Sequence, residues 1–292
     1  MVSAKECTYE KIYFSLWETG QRYGEFTQFR IIGKSHDDRL IPMLEVGKGD
    51  ICIFCLSGLE EVKDGDMPLY LTKMMREYCR AYESGWIMGE NYHVTQLLDQ
   101  IRICFIPLLN PDGYEISTCG YGAIRNPIYR QMLKMQNRPL KEIDCNARGI
   151  KLRKNFPTNY YQKNRIGQEP ASENETRAFI HILQEYRSAG LLLFGHAHGK
   201  IIYYKQEKSV PYNQKNYRMA RHLQRCSGYH LEKGSAQNRE MGSPEQFYAE
   251  VFRQPSLSIE IPQTDDEDFY REEVFMLPLE YIYSGHSIFS LT

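Results

Sequence analysis

Short apolar runs alternate with amphipathic stretches along the chain. The runs span four to nine residues, a length typical of buried strands, and longer segments separate most of them. We therefore predict strands over Ile51–Leu56 and over residues 101–109, 191–194, 200–204 and 257–261.

The intervening segments repeat apolar residues at helical spacing. Residues 67–82 place six of them on one predicted helix face: Met67, Leu71, Met74, Met75, Tyr78 and Tyr82. Residues 212–226 and Glu272–Phe289 are further predicted helices, and Pro278 is expected to kink or interrupt the second. Buried strands alternating with helices predict an α/β sandwich, with a mostly parallel or mixed sheet between helices.

Two local patterns mark expected turns and helix starts. Asn110, Pro111, Asp112 and Gly113 follow a predicted strand, and these residue types suit the four positions of a type I turn. Ser172 precedes Glu175 by three positions, the spacing of a capping box. We therefore expect Ser172 to cap a helix.

Composition narrows the class of protein. The 292 residues carry a formal net charge of −1, with 42% hydrophobic and 25% charged residues, which is ordinary for a globular chain. Disorder, collagen and coiled coil are therefore excluded. The near-zero charge also argues against nucleic-acid or membrane-surface binding driven by bulk charge.

The cysteines and the N-terminus indicate a cellular compartment. Cys52 and Cys55 lie inside an apolar run, where a strand would place them on opposite faces, as reduced thiols in a core. The N-terminus lacks the basic and apolar regions of a signal peptide, and no apolar run approaches the roughly 20 residues that span a bilayer. We expect a cytoplasmic protein.

Candidate chemistry lies at strand ends and in one basic segment. Glu260 interrupts the apolar run 257–261, and a carboxylate in a buried strand is costly unless it is paired or functional. His196 and His198 follow another strand, either as metal ligands or as one structural and one surface histidine. Residues 146–157 are basic, either as a solvated surface or as an anion pocket.

Taken in order, these motifs resemble the zinc carboxypeptidases (metallocarboxypeptidases, or funnelins) over nearly the whole chain. The matching segments are residues 33–39 (GKSHDDR), 110–115 (NPDGYE), 148–156 (RGIKLRKNF) and 172–176 (SENET), followed by His196 and Glu260. The resemblance implies a single domain over residues 1–292 with about eight strands and, at this length, no pro-segment. It also implies a zinc held by an early His-x-x-Glu pair and a later histidine, with a glutamate as general base.

Measured against that pattern, the zinc ligands are altered. His196 matches the later histidine and Glu260 the general base, but Glu60 and Lys63 fall where the family has His and Glu. A protonated lysine has no lone pair and repels a dication. Lys151 replaces the aspartate that orients the first zinc histidine, and we expect it to form an ion pair with Glu60.

The resemblance also implies substrate-binding positions. Arg153 and Lys154 stand where the family's Asn-Arg pair grips the terminal carboxylate, with Asn146 at the start of the same segment. Tyr248 is a candidate for the tyrosine that closes over substrate, or an ordinary packed aromatic.

Three functions remain open. The favoured hypothesis is a degenerate (pseudo-peptidase) protein in which cations have replaced a lost zinc, binding a peptide C-terminus or other carboxylate. The first alternative is an active divergent peptidase acting on peptides or cell-wall stem peptides, with a weak zinc on Glu60, His196 and His198 and with Glu260 as base. The second is an interaction scaffold with a vestigial cleft.

Overall fold

A computed structural model describes residues 8–59, 66–88, 92–136, 139–140, 143–159, 169–197, 199–205, 207–234, 242–262 and 272–289. Its centre is a mixed eight-stranded sheet in the order β1-β2-β6-β3-β7-β10-β8-β9. The strands of this sheet are β1 (Thr27–Lys34), β2 (Leu40–Val46), β3 (Ile51–Leu56), β6 (Ile101–Ile106), β7 (Arg187–Ala197), β8 (Ile201–Tyr204), β9 (His230–Lys233) and β10 (Ser256–Pro262), while β4 (Ile87–Met88) and β5 (Tyr92–His93) pair with each other. The predicted α/β class is confirmed.

Helices cover both faces of the large sheet. They are α1 (Tyr9–Arg22), α2 (Met67–Glu83), α3 (Val94–Gln100), α4 (Pro111–Cys119), α5 (Pro127–Met135), α6 (Asn174–Glu185), α7 (Val210–Ser227), α8 (Pro244–Phe252) and α9 (Glu272–Phe289). One core cluster packs beneath α1, α2, α3, α7 and α9, and a second beneath α6 and α8. We call these sides the first face and the second face. None of the described helices has the length and apolar character needed to cross a membrane.

The central strand β3 shows why the sheet is buried on both sides. Its side chains alternate between the two core clusters, with Cys52 and Phe54 on the second face and Ile53 and Cys55 on the first. Parallel neighbours, β6 and β7, flank it on both edges. A continuous apolar run is the expected sequence of such a strand, and the predicted bounds of β3 match the structure.

Strand β7 is longer than predicted because its first half is not a plain apolar run. It begins at Arg187 and contains Gly190, where a Cβ atom would lie 2.1 Å from the Tyr281 hydroxyl. That glycine lets α9 approach the sheet, and α9 continues through Pro278. The predicted strand 101–109 ends at Ile106, before Pro107, which lacks the N–H needed to continue the ladder.

Two local predictions are wrong. Residues 110–113 form the first turn of α4, with Asn110 as N-cap accepting a bond from the Gly113 N–H at 3.1 Å and Pro111 at the first helical position. Ser172 is not a cap, because α6 begins at Asn174 and its N-cap residue is Glu173. The Ser172 hydroxyl instead donates to the Glu173 carboxylate at 2.7 Å.

Candidate functional site

His196 and Glu260 lie at the carboxyl ends of the parallel neighbours β7 and β10. His196 is in register with Ile261, and its Nδ1 atom is 2.9 Å from the Ile261 carbonyl oxygen. Burial lowers the pKa of His196. Alternation directs Glu260 to the second face and His196 to the first, so a common ligand can reach both only beyond the strand ends.

A buried ion pair lies beside strand β10 on the side of Glu260. Ser258, two residues before Glu260 on the same face, donates to the Glu245 carboxylate at 2.5 Å. Arg153 donates to the same oxygen atom, Oε1, at 2.7 Å. Because two strand residues span about 7 Å, the ion pair lies near Glu260.

Lys205 completes this charged cluster of Arg153, Lys205, Glu245 and Ser258, which we call the Arg153 cluster. Burial lowers the pKa of Lys205 to about 8. Burial alone would raise the pKa of Glu245, but Arg153 and Lys205 lower it below its ordinary value, so the carboxylate stays ionised. Its Oε2 atom has no hydrogen-bond partner among the described residues.

Lys154 differs from its neighbour Arg153. It is half-buried, and within the described part of the chain no hydrogen bond or ion pair engages its ammonium group. A partly desolvated cation without a counter-ion is costly unless an anion is supplied from outside. Lys154 is therefore the group in this region best suited to meet an anionic ligand.

Gly242 joins the segment of Arg153 and Lys154 to the start of α8. Arg153 and Lys154 lie in a 3₁₀ turn, Leu152–Lys154, and the Phe156 N–H donates to the Gly242 carbonyl at 2.8 Å. Gly242 has a φ of +85°, and a Cβ atom there would be 2.7 Å from the Lys154 carbonyl oxygen. Only glycine fits this contact without displacing the backbone.

Asn146, predicted to bind substrate, is engaged inside the protein, and its substrate role stays a prediction. Its side chain is fully buried, and its Nδ2 atom donates to Glu173 at 2.8 Å and to Glu175 at 3.3 Å. Its Oδ1 atom accepts from the N–H groups of Arg148 and Ile150. Both donor hydrogens and the acceptor are therefore used within the protein.

Three segments that resemble zinc carboxypeptidases contribute side chains to the network around Asn146, namely residues 33–39, 148–156 and 172–176. Burial raises the pKa of Glu175 to about 8. For Glu173, bonds from His36, Asn146 and Ser172 outweigh burial and lower the pKa. His36, Glu173 and Glu175 place ligand atoms within 4.8 Å of one another, so a metal ion could be held there. Glu173 also bonds Arg148 at 3.3 Å, which would repel a cation, and we assign the network a structural role.

Tyr248 is also engaged inside the protein. It lies on α8 in the second core cluster, fully buried, and its hydroxyl donates to Ser188 at 2.8 Å. These contacts are those of a packed aromatic, and the substrate-closing role stays a prediction.

The structure describes only some of the other residues at or near the predicted metal site. Glu60, Lys63 and His198 lie outside the described residues. Lys151, expected to pair with Glu60, forms an ion pair with Asp144. A metal-binding histidine usually engages a carbonyl or carboxylate through its second nitrogen, so His196 fits a zinc ligand. The sequence supplies Glu60 and Lys63 at the other two positions, and a lysine does not fit.

The Arg153 cluster was not predicted in full. Glu245 and Lys205 were missed because each reads as an ordinary charge, one in the first turn of an amphipathic helix and one in a polar stretch. Ser258 lies in the apolar run 257–261. Because alternate residues of a strand share a face, the sequence could have placed Ser258 on the same side as Glu260.

Comparisons with known proteins agree with this architecture. The family model described as zinc carboxypeptidase (peptidase M14) matches residues 12–282. The chain is 24% identical to the carboxypeptidase N catalytic chain of Rattus norvegicus over 234 residues, covering 72% of this chain and 46% of that protein. It is also 24% identical to carboxypeptidase B of Canis lupus familiaris over 208 residues, covering 64% and 45%. The chain thus spans slightly less than half the length of these relatives.

Solved structures share the fold at low identity. Bovine thrombin-activatable fibrinolysis inhibitor, in complex with a tick carboxypeptidase inhibitor, superposes with a TM-score of 0.68 at 16% identity, covering 97% of this chain and 98% of that chain. The murein-tripeptide amidase of Escherichia coli O157 superposes with a TM-score of 0.54 at 14% identity, covering 87% and 91%. Since the family model matches most of the chain, this protein belongs to the zinc carboxypeptidase family.

Proposed function

We propose that this chain binds a peptide C-terminus, or another carboxylate, in the former active-site cleft of its family and no longer cleaves the peptide. Lys154 carries the proposal. It is a half-buried cation without a partner among the described residues, at the family position that grips the substrate carboxylate.

The neighbouring charges support the same assignment. Arg153 is paired with Glu245, so its guanidinium is already engaged within the protein and Lys154 is the cation left for the ligand. A charge-assisted bond from a lysine to a carboxylate contributes more when both groups are partly shielded from water. The expected ligand contact is therefore a single strong ion pair.

Loss of catalysis follows from the ligand positions in the sequence. Only His196 keeps the family's donor type, while Glu60 changes the donor and Lys63 introduces a positive charge. A lysine at a zinc-ligand position of the family could balance a nearby carboxylate without a metal ion. The proposed binding role therefore requires no zinc.

The direct test compares a peptide with a free C-terminal carboxylate and the same peptide amidated at its C-terminus. We expect calorimetry to show binding of the free acid alone, and K154A to weaken it at least about tenfold, the low end for a charge-assisted bond. K154R should retain most of the affinity. Lys134 is an exposed lysine on α5, so K134A is the control. Equal affinity for the amidated peptide would contradict the proposal.

Metal content and turnover decide between binding and catalysis. Protein purified without chelator is expected to release no C-terminal residues from peptides. Stoichiometric zinc with chelator-sensitive release of C-terminal residues would instead establish an active enzyme.

The active divergent peptidase is the second candidate, favoured by one observation. His196 directs Nδ1 to the Ile261 carbonyl, the arrangement typical of a metal-binding histidine, and Glu260 occupies the general-base position. Its substrate would be a peptide or, by analogy with the murein-tripeptide amidase, a cell-wall stem peptide. In that case E260Q should reduce turnover at least about 10²-fold.

A further inference from the structure

Three side chains of types that can ligate a metal meet between α7 and α9, on the first face of the sheet. His222 and Cys226 lie one turn apart on α7, so they share a side of that helix. Glu280 projects from α9, the helix packed against α7. All three are half-buried.

Their ligand atoms converge on one point. The His222 Nε2 atom is 3.1 Å from Glu280 Oε2 and 3.6 Å from the Cys226 Sγ atom. All three atoms lie within 4.8 Å of one another. The set combines one nitrogen, one sulfur and one oxygen donor, each from a residue type that commonly binds zinc.

These separations match a tetrahedral ion. With zinc–ligand bonds of about 2.0–2.3 Å, tetrahedral angles separate nitrogen from oxygen by about 3.3 Å and nitrogen from sulfur by about 3.6 Å. The observed spacings of 3.1 and 3.6 Å need little adjustment to receive an ion. We propose that His222, Cys226 and Glu280 form a zinc site that clamps α7 to α9.

A plain ion pair does not require the third side chain. His181 and Glu185 provide the comparison, since they form a similar pair at 2.8 Å on the surface of α6. No cysteine joins that pair among the metal-ligating groups of the described residues. In the cluster between α7 and α9, by contrast, a third side chain adds a soft sulfur donor next to the histidine and the carboxylate.

Binding would convert the Cys226 thiol to a thiolate, release its proton to solvent, and leave a fourth position for water. Three protein ligands with one open position are compatible with zinc. The ion would then link two helices that are already joined by side-chain packing and by the contact of His222 with Glu280. It would stabilise the docking of α9, the last described helix.

Cobalt(II) provides a test that the family's own metal position cannot imitate. The full-length protein, freed of metal by chelation, is titrated with Co²⁺ and monitored for sulfur-to-cobalt charge-transfer absorption. We expect one equivalent to produce the band and Zn²⁺ to displace it. C226S should abolish the band, and H222Q and E280Q should each weaken Co²⁺ binding at least about tenfold.

Matched variants make the result specific. C119S removes an exposed thiol outside the cluster, and H181Q removes the histidine of the surface pair, so both should keep the band. H196A should also keep it, which separates this site from the cleft. Circular dichroism verifies that each variant is folded. The proposal is overturned if the wild-type protein shows no band, or if the band persists in C226S.

Discussion

Arg153 and Glu245 are separated by 92 positions in the sequence, yet their side chains meet at 2.7 Å, with the carboxylate fully buried. The pair links the segment of Lys154 to α8. Such a pair is expensive to break, because removing one partner leaves the other as a buried charge that has lost its close counter-ion.

Removal of one partner should therefore destabilise the protein strongly. We expect R153A to lower the free energy of unfolding by about 3–5 kcal/mol in urea denaturation. The matched control is Arg30 with Glu185, whose side chains are 32% and 35% exposed, and E185Q should cost no more than about 1 kcal/mol. If R153A and E185Q cost the same, the buried pair does not stabilise the fold.

The lowered pKa of Lys205 predicts that the free energy of unfolding rises with pH in alkaline solution. Burial lowers its pKa from 10.5 to about 8, so between these values the unfolded chain binds more protons than the folded one. Stability should therefore rise from about pH 8 to pH 10.5, by at most about 1.4 kcal/mol per pH unit, and level off outside this window. In K205M, unfolding curves across this range should lack that rise. An unchanged slope in K205M would assign the effect to another group.

The raised pKa of Glu175 predicts the opposite trend at lower pH, with a free energy of unfolding that falls as the pH rises. Burial raises its pKa from 4.5 to about 8, so the folded state holds the proton that the unfolded chain has lost. Its contribution should be full below pH 4.5 and lost as the pH rises through 8. E175Q mimics the protonated form and should gain stability over the wild-type protein across that range. Thermal unfolding in parallel at pH 5 and pH 8 measures the difference. For E173Q the difference from the wild-type protein should not grow with pH, because the lowered pKa of Glu173 keeps its carboxylate charged at both pH values.

Tyr248 should matter for stability alone. Y248F removes the hydroxyl that bonds Ser188, at a cost of about 1 kcal/mol, and leaves the ring in place. Affinity for a carboxylate peptide should be unchanged by calorimetry. A variant that folds normally but binds more weakly would return Tyr248 to the ligand-binding residues.

The fold could be predicted because its signals are local. The apolar run of β3 and the helical spacing of α2 both follow from burial, and each can be read within one segment. Glu260 and His196 could be chosen for a similar reason, since a polar residue in or after an apolar run is unusual. Whether they bind a ligand remains a prediction.

The rest depends on partners that are distant in sequence. Asn146 was expected to meet a ligand, yet its partners Glu173 and Glu175 come from a later segment that closes over it. Glu245 reads as a solvated charge until Arg153 is placed beside it. Pairings of this kind are set by the packed fold, and spacing along one segment does not contain them.

The Gly242 contact has a consequence for redesign. The turn of Arg153 and Lys154 meets the segment leading into α8 through backbone atoms, at a position where any side chain would collide. This backbone contact therefore does not depend on which side chain stands at position 154. We expect the sign of the charge there to be exchangeable, so that a Lys154→Glu variant would favour amines over carboxylates on the same scaffold.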